Sequence, residues 1–305
     1  MSSKIWFIGT GKFAALCLEN FIRKNIPLHR IITGLPTRSG RNNRENPSAV
    51  ELSALSHGLT VERTGKLSEN QEIIRELYDD DPAIIFVIDF GQIVREPFLS
   101  RMCLNIHPSL LPEYRGAAPI QRALLDGKNY TGVSVFRLAA AMDAGGIFGQ
   151  VRTEIRPDEN ASELYIRLAE MGCEIAAEAV KNIDSISFTP QDDSKSTYAP
   201  KIAKPEFELL FTMPAKKFTD SVRALDMSGG AFAVIRGKRV KIWRALLRED
   251  IRAKFHGQFL DCSGNPVIAC ADFGVELAEV QSEGKKIVSG AEWMRGLRLK
   301  QGDIL

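Results

Sequence analysis

The six residues 83–88, Ala-Ile-Ile-Phe-Val-Ile, constrain this chain more than any other segment. The run is too short for a buried helix or a membrane span, yet no polar residue interrupts it. A strand covered on both faces is the arrangement that uses such a run, and such strands belong to parallel sheets. Residues 5–8 form a second apolar run ending at Gly9, and residues 28–33 read as a further strand. Helical patterns separate them. One passes through Phe13, Leu16, Cys17 and Phe21; another starts at Asn46-Pro47, as cap and first-turn proline, and reaches about His57; a third covers about residues 68–78. Alternating strand and helix predicts an α/β fold with a Rossmann-like, doubly wound, mostly parallel sheet. A further helix begins after Pro119, and strands are expected at 132–138 and 147–155. Asn160 with Glu163 three residues on is a capping box for a helix to about Asn182, with an apolar stripe of Leu164, Leu168, Met171 and Ile175.

Residues 189–205 change character, with prolines at 190, 200 and 205 around a polar stretch, and read as an inter-domain linker. They divide the chain into residues 1–188 and 206–305. In the second part a helix marked by Phe218, Val222 and Leu225 ends at Ser228-Gly229-Gly230. Strand runs then recur at 231–235, 239–246, 258–261, 267–271 and 275–280. Their spacing predicts a small β-barrel or sandwich; an OB-like C-terminal β-barrel is expected, with Trp243 and Trp293 in its core. This part carries a net charge of +3 out of +2 for the whole 305 residues, a hint of an anionic partner. Five cysteines without Cys-x-x-Cys spacing suit reduced, buried thiols, and four scattered histidines argue against a protein-held metal. Apolar stretches fall short of the roughly 20 residues of a membrane span, and the N-terminus has no cleavage-site pattern, so a cytoplasmic location is expected. Gly9-Thr10-Gly11-Lys12 lacks phosphate-loop spacing and reads as a tight strand-to-helix turn.

The chemistry is concentrated in residues 103–127. In the strand that holds Leu104 and Ile106 on one face, Asn105 and His107 share the other. Pro108 ends the strand there, leaving His107 at the carboxyl edge, where open parallel sheets bind ligands. An amide donor beside an imidazole suits acyl transfer to an amine. The amide faces a developing oxyanion, and the imidazole handles charge and proton. A carboxylate to orient the histidine is wanted. Asp143, in Met142-Asp143-Ala144-Gly145-Gly146, is the candidate, with glycines that allow close backbone approach to a ligand. Taken alone, an Asn-x-His pair also fits a packed strand, and an Asp before two glycines also fits a turn.

Asn105-Ile106-His107-Pro108-Ser109-Leu110-Leu111-Pro112, followed by Tyr114-Arg115-Gly116 and then Asp143, resembles the signature of the 10-formyltetrahydrofolate-dependent formyltransferases. The resemblance implies that Asn105, His107 and Asp143 are the catalytic set. It implies that Ser109, Leu110, Leu111 and Pro112 contact the folate co-substrate. Phe90-Gly91-Gln92-Ile93 is similar to a loop bordering the pterin pocket. The family typically has Ala-Tyr-Gly-Leu-Ile there, so Asp89, Phe90 and Gln92 are departures. The chemistry implied is direct attack of an amine on the formyl carbon through a tetrahedral intermediate, with no metal.

Within the family, residues 115–121 (Arg-Gly-Ala-Ala-Pro-Ile-Gln), 197–202 and 240–243 resemble the branch whose acceptor is initiator methionyl-tRNA. In that branch the arginine-rich segment 37–44 lies at the tRNA acceptor end, which makes Arg38, Arg41 and Arg44 the candidate RNA contacts. Lys216-Lys217, residues 236–239 and Lys285-Lys286 also suit phosphates, or simply a soluble surface. Asp226-Met227-Ser228-Gly229-Gly230 replaces a proline-rich turn of that branch, and Ala231-Phe232 also resembles sugar-modifying relatives. Three alternatives therefore stay open: an N-formyltransferase for a nucleotide-linked amino sugar, a non-catalytic RNA-binding protein on the same scaffold, and a nicotinamide dehydrogenase. The last lacks its glycine fingerprint. A monomer acting away from membranes is expected.

Overall fold

The structure, a computed structural model, describes residues 4–39, 44–252, 255–261, 263–297 and 301–304. Two compact units emerge. One comprises Met1–Gly116, Thr131–Thr153 and Tyr165–Tyr198, the other Ala117–Tyr130, Glu154–Leu164 and Ala199–Leu305.

The first unit is built on a seven-stranded sheet. In chain order its elements are β1 (Ile5–Gly9), α1 (Lys12–Arg23), β2 (Leu28–Gly34), the short pair β3 (Thr37–Ser39) and β4 (Arg44–Asn46), α2 (Ala49–Ser56), β5 (Glu62–Thr64), α3 (Gln71–Asp80), β6 (Ile84–Ile88) and β7 (Cys103–His107). After β8 (Arg115–Gly116) and α4 (Pro119–Leu125) come β9 (Tyr130–Arg137), β10 (Ile147–Glu154) and α5 (Ala161–Lys181). The sheet order is β10-β9-β7-β6-β1-β2-β5. Neighbours from β5 through β7 run parallel, and β9 lies antiparallel to β7. Every residue of β1 and β6 is buried, as the uninterrupted apolar runs require. The chain leaves β1 toward β2 and β5 and returns to the other side at β6, so the switch point lies between β1 and β6. His107 ends β7, one strand further along that same carboxyl edge.

Two helix starts differ from expectation. Ser48, not Asn46, caps α2, its Oγ accepting from Glu51 N at 2.9 Å, and Pro47 precedes the cap. Residues 67–69 form a 3₁₀ turn, so the next helix begins at Gln71, where Asn70 Oδ1 accepts from Glu72 N and Ile73 N. In both cases the residue nearest the first free N–H groups takes the cap. The capping box at α5 is formed as the sequence suggests: Glu163 N donates to Asn160 Oδ1 at 2.9 Å and Asn160 N to Glu163 Oε2 at 3.0 Å. Asp226, from the unexpected 226–230 turn, adds a third fastening by accepting from Ser162 N and Oγ.

At the amino end of the sheet, Arg30 lies over the Trp6 ring and bridges Glu62, Glu76 and Asp80. Burial of the Asp80 carboxyl works against its ionisation. The hydrogen bonds from Lys4 and Arg30, with His29 and Arg30 charge nearby, outweigh that and hold it at about 2. A carboxylate so depressed adds stability that is complete above its unfolded pKa near 3.8 and is lost as pH falls toward 2. Asp80→Asn is therefore expected to destabilise the fold by about 2 kcal/mol at pH 7. The deficit should shrink below pH 4 and vanish only once pH falls below 2, as followed by urea unfolding across that range.

The second unit contains α4, α6 (Ala215–Leu225) and an antiparallel sheet of β12 (Ala231–Ile235), β13 (Lys238–Arg252), β14 (Phe259–Asp261), β15 (Val267–Ala269) and β16 (Phe273–Ser282). β11 (Tyr198–Ala199) precedes α6, and β17 (Val288–Ser289) adds to β16. The sheet order is β12-β13-β16-β15-β14. β13 is 15 residues long, far beyond the run its sequence suggests, because bulges let one strand keep pairing with β16 through a bend. A last helix, α7 (Gly290–Leu297), follows and buries Trp293. Trp243 is not a core residue. It is half-buried, donates from Nε1 to Gln281 Oε1 at 3.1 Å, and lines a cavity of about 590 Å³ beside α6.

Candidate active site

The site begins with the alternation along β7. Leu104 and Ile106 are buried, and Asn105 and His107 lie opposite Phe136 and Ser134 of β9. Asn105 is half-buried, and among the described residues its side-chain amide makes no hydrogen bond. His107 is buried, its ring edge-on to Phe136 at 6.4 Å. His107 Nε2 lies 2.8 Å from the carbonyl oxygen of Tyr114. A carbonyl only accepts, so Nε2 carries a proton and Nδ1 is the nitrogen left for exchange. Nδ1 faces Asp143, whose Oδ2 is 3.7 Å away.

Asp143 sits at φ 51°, in the left-handed region that Asp tolerates better than most residues. Its Oδ2 also accepts from Gly116 N at 2.8 Å, which ties the Asp143 loop to the Tyr114-Arg115-Gly116 turn. The two glycines that follow do not face open space. A Cβ on Gly145 would stand 1.8 Å from the Arg137 carbonyl oxygen, and one on Gly146 would meet Phe188. The close approach expected of these glycines is thus made within the protein, where the loop lies flat against the end of β9.

Four fasteners of this site escaped sequence reasoning. Gln191 Nε2 donates to the carbonyls of Asp143 (2.8 Å) and Gly145 (2.7 Å), and its Oε1 accepts from Arg115. Thr197 Oγ1 accepts from Tyr114 N at 2.8 Å, so the carbonyl that holds His107 is itself held. Ser134 Oγ donates to Ser109 O at 2.6 Å and accepts from Leu111 N, and Gln150 Nε2 donates to Leu111 O at 2.8 Å. Nothing marks these polar residues out from their neighbours in the sequence; only the fold brings them in.

Ser109, Leu110, Leu111 and Pro112 continue from His107 as a tight turn. Ser109 and Leu111 are buried, Ser109 Oγ donates to Glu113 O, and the Leu111–Pro112 peptide is cis. Of the loop after β6, Phe90 is buried in the hydrophobic core, whereas Ile93 is 72% exposed. Gly91 has φ 74° and open space where a side chain would be. Gln92 is bound on both ends to protein backbone, accepting from Leu67 N and donating to Gly65 O. A cavity of about 380 Å³, lined by Glu96, Leu99, Arg137, Ala139, Gly145 and their neighbours, shares its wall with the Asp143 loop. That volume suits a bicyclic ring of pterin size.

Arg38 and Arg44 fall on the antiparallel pair β3–β4, where Arg38 is opposite Glu45 and Arg44 opposite Ser39. Arg41 lies outside the described residues.

Residues 3–180 match the family model described as formyl transferase, and residues 201–298 the one described as formyl transferase, C-terminal domain. The chain is similar to a methionyl-tRNA formyltransferase of Caldicellulosiruptor saccharolyticus, 35% identical over 99% of both chains. A relative of the same name in a Jannaschia species is 32% identical, again over 99% of both. Among solved structures, the fold is like that of WlaRD, a sugar 3N-formyl transferase (TM-score 0.65, 18% identity, 94% of this chain and 100% of that one). It is also like HypX of Aquifex aeolicus in complex with tetrahydrofolic acid (TM-score 0.68, 17% identity). There the match covers all of this chain and 49% of that longer one.

Proposed function

The chain belongs to the formyl transferase family, and from that premise we propose that it transfers the formyl group of 10-formyltetrahydrofolate to the free amino group of initiator methionyl-tRNA. The observation that carries the chemistry is the pairing on β7. An amide with no hydrogen-bond partner among the described residues lies two residues from an imidazole whose free nitrogen looks at a carboxylate. The full-length similarity to enzymes named for methionyl-tRNA supports the acceptor.

The co-substrate supplies a formyl group on a nitrogen that can leave. The chain's residues do the rest. As the amine attacks, charge grows on the formyl oxygen, and the Asn105 amide N–H stabilises it. His107 holds its Nε2 proton against Tyr114 O, so proton exchange with the amine runs through Nδ1. The Asp143 carboxylate stabilises the imidazolium that results, which would then give its proton to the departing nitrogen and return to the neutral imidazole. Cys103, on the same strand, is no nucleophile: burial pushes its thiol up to about 12, and it donates to Phe98 O. On this reading transfer is direct, by attack of the amine on the formyl carbon. Residues 109–112, the open face at Gly91 and the 380 Å³ cavity suit the folate. Residues 1–188 form the catalytic domain on this reading. Those beyond the 189–205 linker form an OB-like barrel that, with Arg38, Arg41 and Arg44, meets RNA. The enzyme works as a cytoplasmic monomer.

The test is a single-turnover incubation with 10-formyltetrahydrofolate, charged initiator tRNA and a nucleotide-linked amino sugar in competition. Formyl should appear on the methionyl amine; formyl on the sugar alone would overturn the acceptor. Salt separates the two as well. With about three phosphate contacts, raising salt fourfold should raise KM for the tRNA roughly 20- to 40-fold, since each contact releases counterions. A flat salt profile would count against an RNA acceptor.

A further inference from the structure

The departures from the family's usual loop at residues 89–93 are not scattered. Each lands on an anchoring contact. Asp89 follows β6 at the switch point with φ 43°. Its carbonyl accepts from Thr10 N (3.1 Å) and Gly11 N (2.9 Å), and its Oδ2 accepts from Phe13 N (3.2 Å) in the first turn of α1. The carboxylate occupies the space that a side chain at position 11 would need: a Cβ there would stand 1.9 Å from Asp89 Oδ2. Gly11 and Asp89 are therefore a matched pair. Three residues on, Gln92 reaches the opposite way and closes on the 65–67 turn through Leu67 N (3.1 Å) and Gly65 O (2.5 Å). Between the two anchors, Phe90 is sunk in the core and Gly91 stands open.

We propose that Asp89 and Gln92 are positioning residues that clamp the 89–92 backbone from both sides, so that the loop meets the folate already in its bound shape. The inference rests on the folate-dependent reading above. Neither side chain need touch the ligand. A clamp of this kind acts by removing the ordering cost that binding would otherwise carry, so its loss appears in KM for the folate rather than in the chemical step.

The experiment measures KM and kcat for 10-formyltetrahydrofolate, together with amide hydrogen exchange of residues 89–93 in the free protein. The variants are Asp89→Gly, Asp89→Asn, Gly11→Ala and Gln92→Leu. Glycine keeps the positive φ of position 89 and loses the acceptor, while asparagine keeps both. Asp89→Gly and Gln92→Leu should each raise KM about three- to tenfold, as loss of a hydrogen bond of ordinary strength would. Exchange at 89–93 should quicken, and kcat should change much less than KM. Asp89→Asn should restore the parent behaviour. Gly11→Ala, which displaces the carboxylate, should reproduce Asp89→Gly, and the double variant should be no worse than either. If the parent enzyme neither binds nor uses the folate, the functional reading fails first. If the parent is active but KM and loop exchange are unmoved in Asp89→Gly and Gln92→Leu, or if kcat falls in step with them, the clamp is refuted.

Discussion

Asn105→Ala is expected to lower turnover for formyl transfer by about 100- to 1000-fold, the usual cost of deleting one oxyanion donor. The structure makes this substitution unusually clean. The Asn105 amide makes no hydrogen bond among the described residues, so its removal leaves no structural partner unsatisfied. The residue is only half-buried, and its strand neighbours Leu104 and Ile106 hold β7 in the core. Thermal unfolding should therefore stay close to the parent, and KM for the folate should move little, because the interaction exists only once charge develops on the oxygen. Single-turnover rates at saturating folate report the effect directly. Near-normal turnover would remove Asn105 from the mechanism and leave the strand pairing as its sole role.

Asp143→Asn should be comparably severe, on the order of 100-fold or more in kcat, as for loss of support to a general acid–base residue. The amide is close to the carboxylate in shape, tolerates φ 51°, and can still accept from Gly116 N. What disappears is the negative charge 3.7 Å from His107 Nδ1. An imidazolium forming there would then lack its counter-charge in a buried setting. Asp143→Ala adds the loss of the Gly116 hydrogen bond, so it should also lower stability, measurably in urea. If Asp143→Asn kept kcat while Asp143→Ala lost it, the residue would be a loop fastener only.

Much of the site was legible because it is local. The β7 alternation, the proline that ends it and the edge at which it ends follow from period-two geometry and from the missing proline N–H. Asp143 was legible as a candidate carboxylate from its glycine-flanked setting, and as a member of the catalytic set through resemblance. The site's fasteners Gln191, Thr197, Ser134 and Gln150 are separated from the atoms they hold by 16 to 83 residues. No periodicity spans such distances. The glycines at 145 and 146 show the same limit: a need for close approach was readable, but not what would do the approaching.

The sequence by itself determined the strands that must be covered on both faces, the winding of the sheet and the residues that end at its carboxyl edge. Burial of apolar runs and the geometry of a strand leave few alternatives for these. Tertiary structure alone decided which nitrogen of His107 is free, which backbone atoms hold the Asp143 loop, and which side chains pin residues 89–92. Those depend on hydrogen bonds between segments far apart in the chain, and a polar side chain carries no record of its partner until the fold brings the two within about 3 Å.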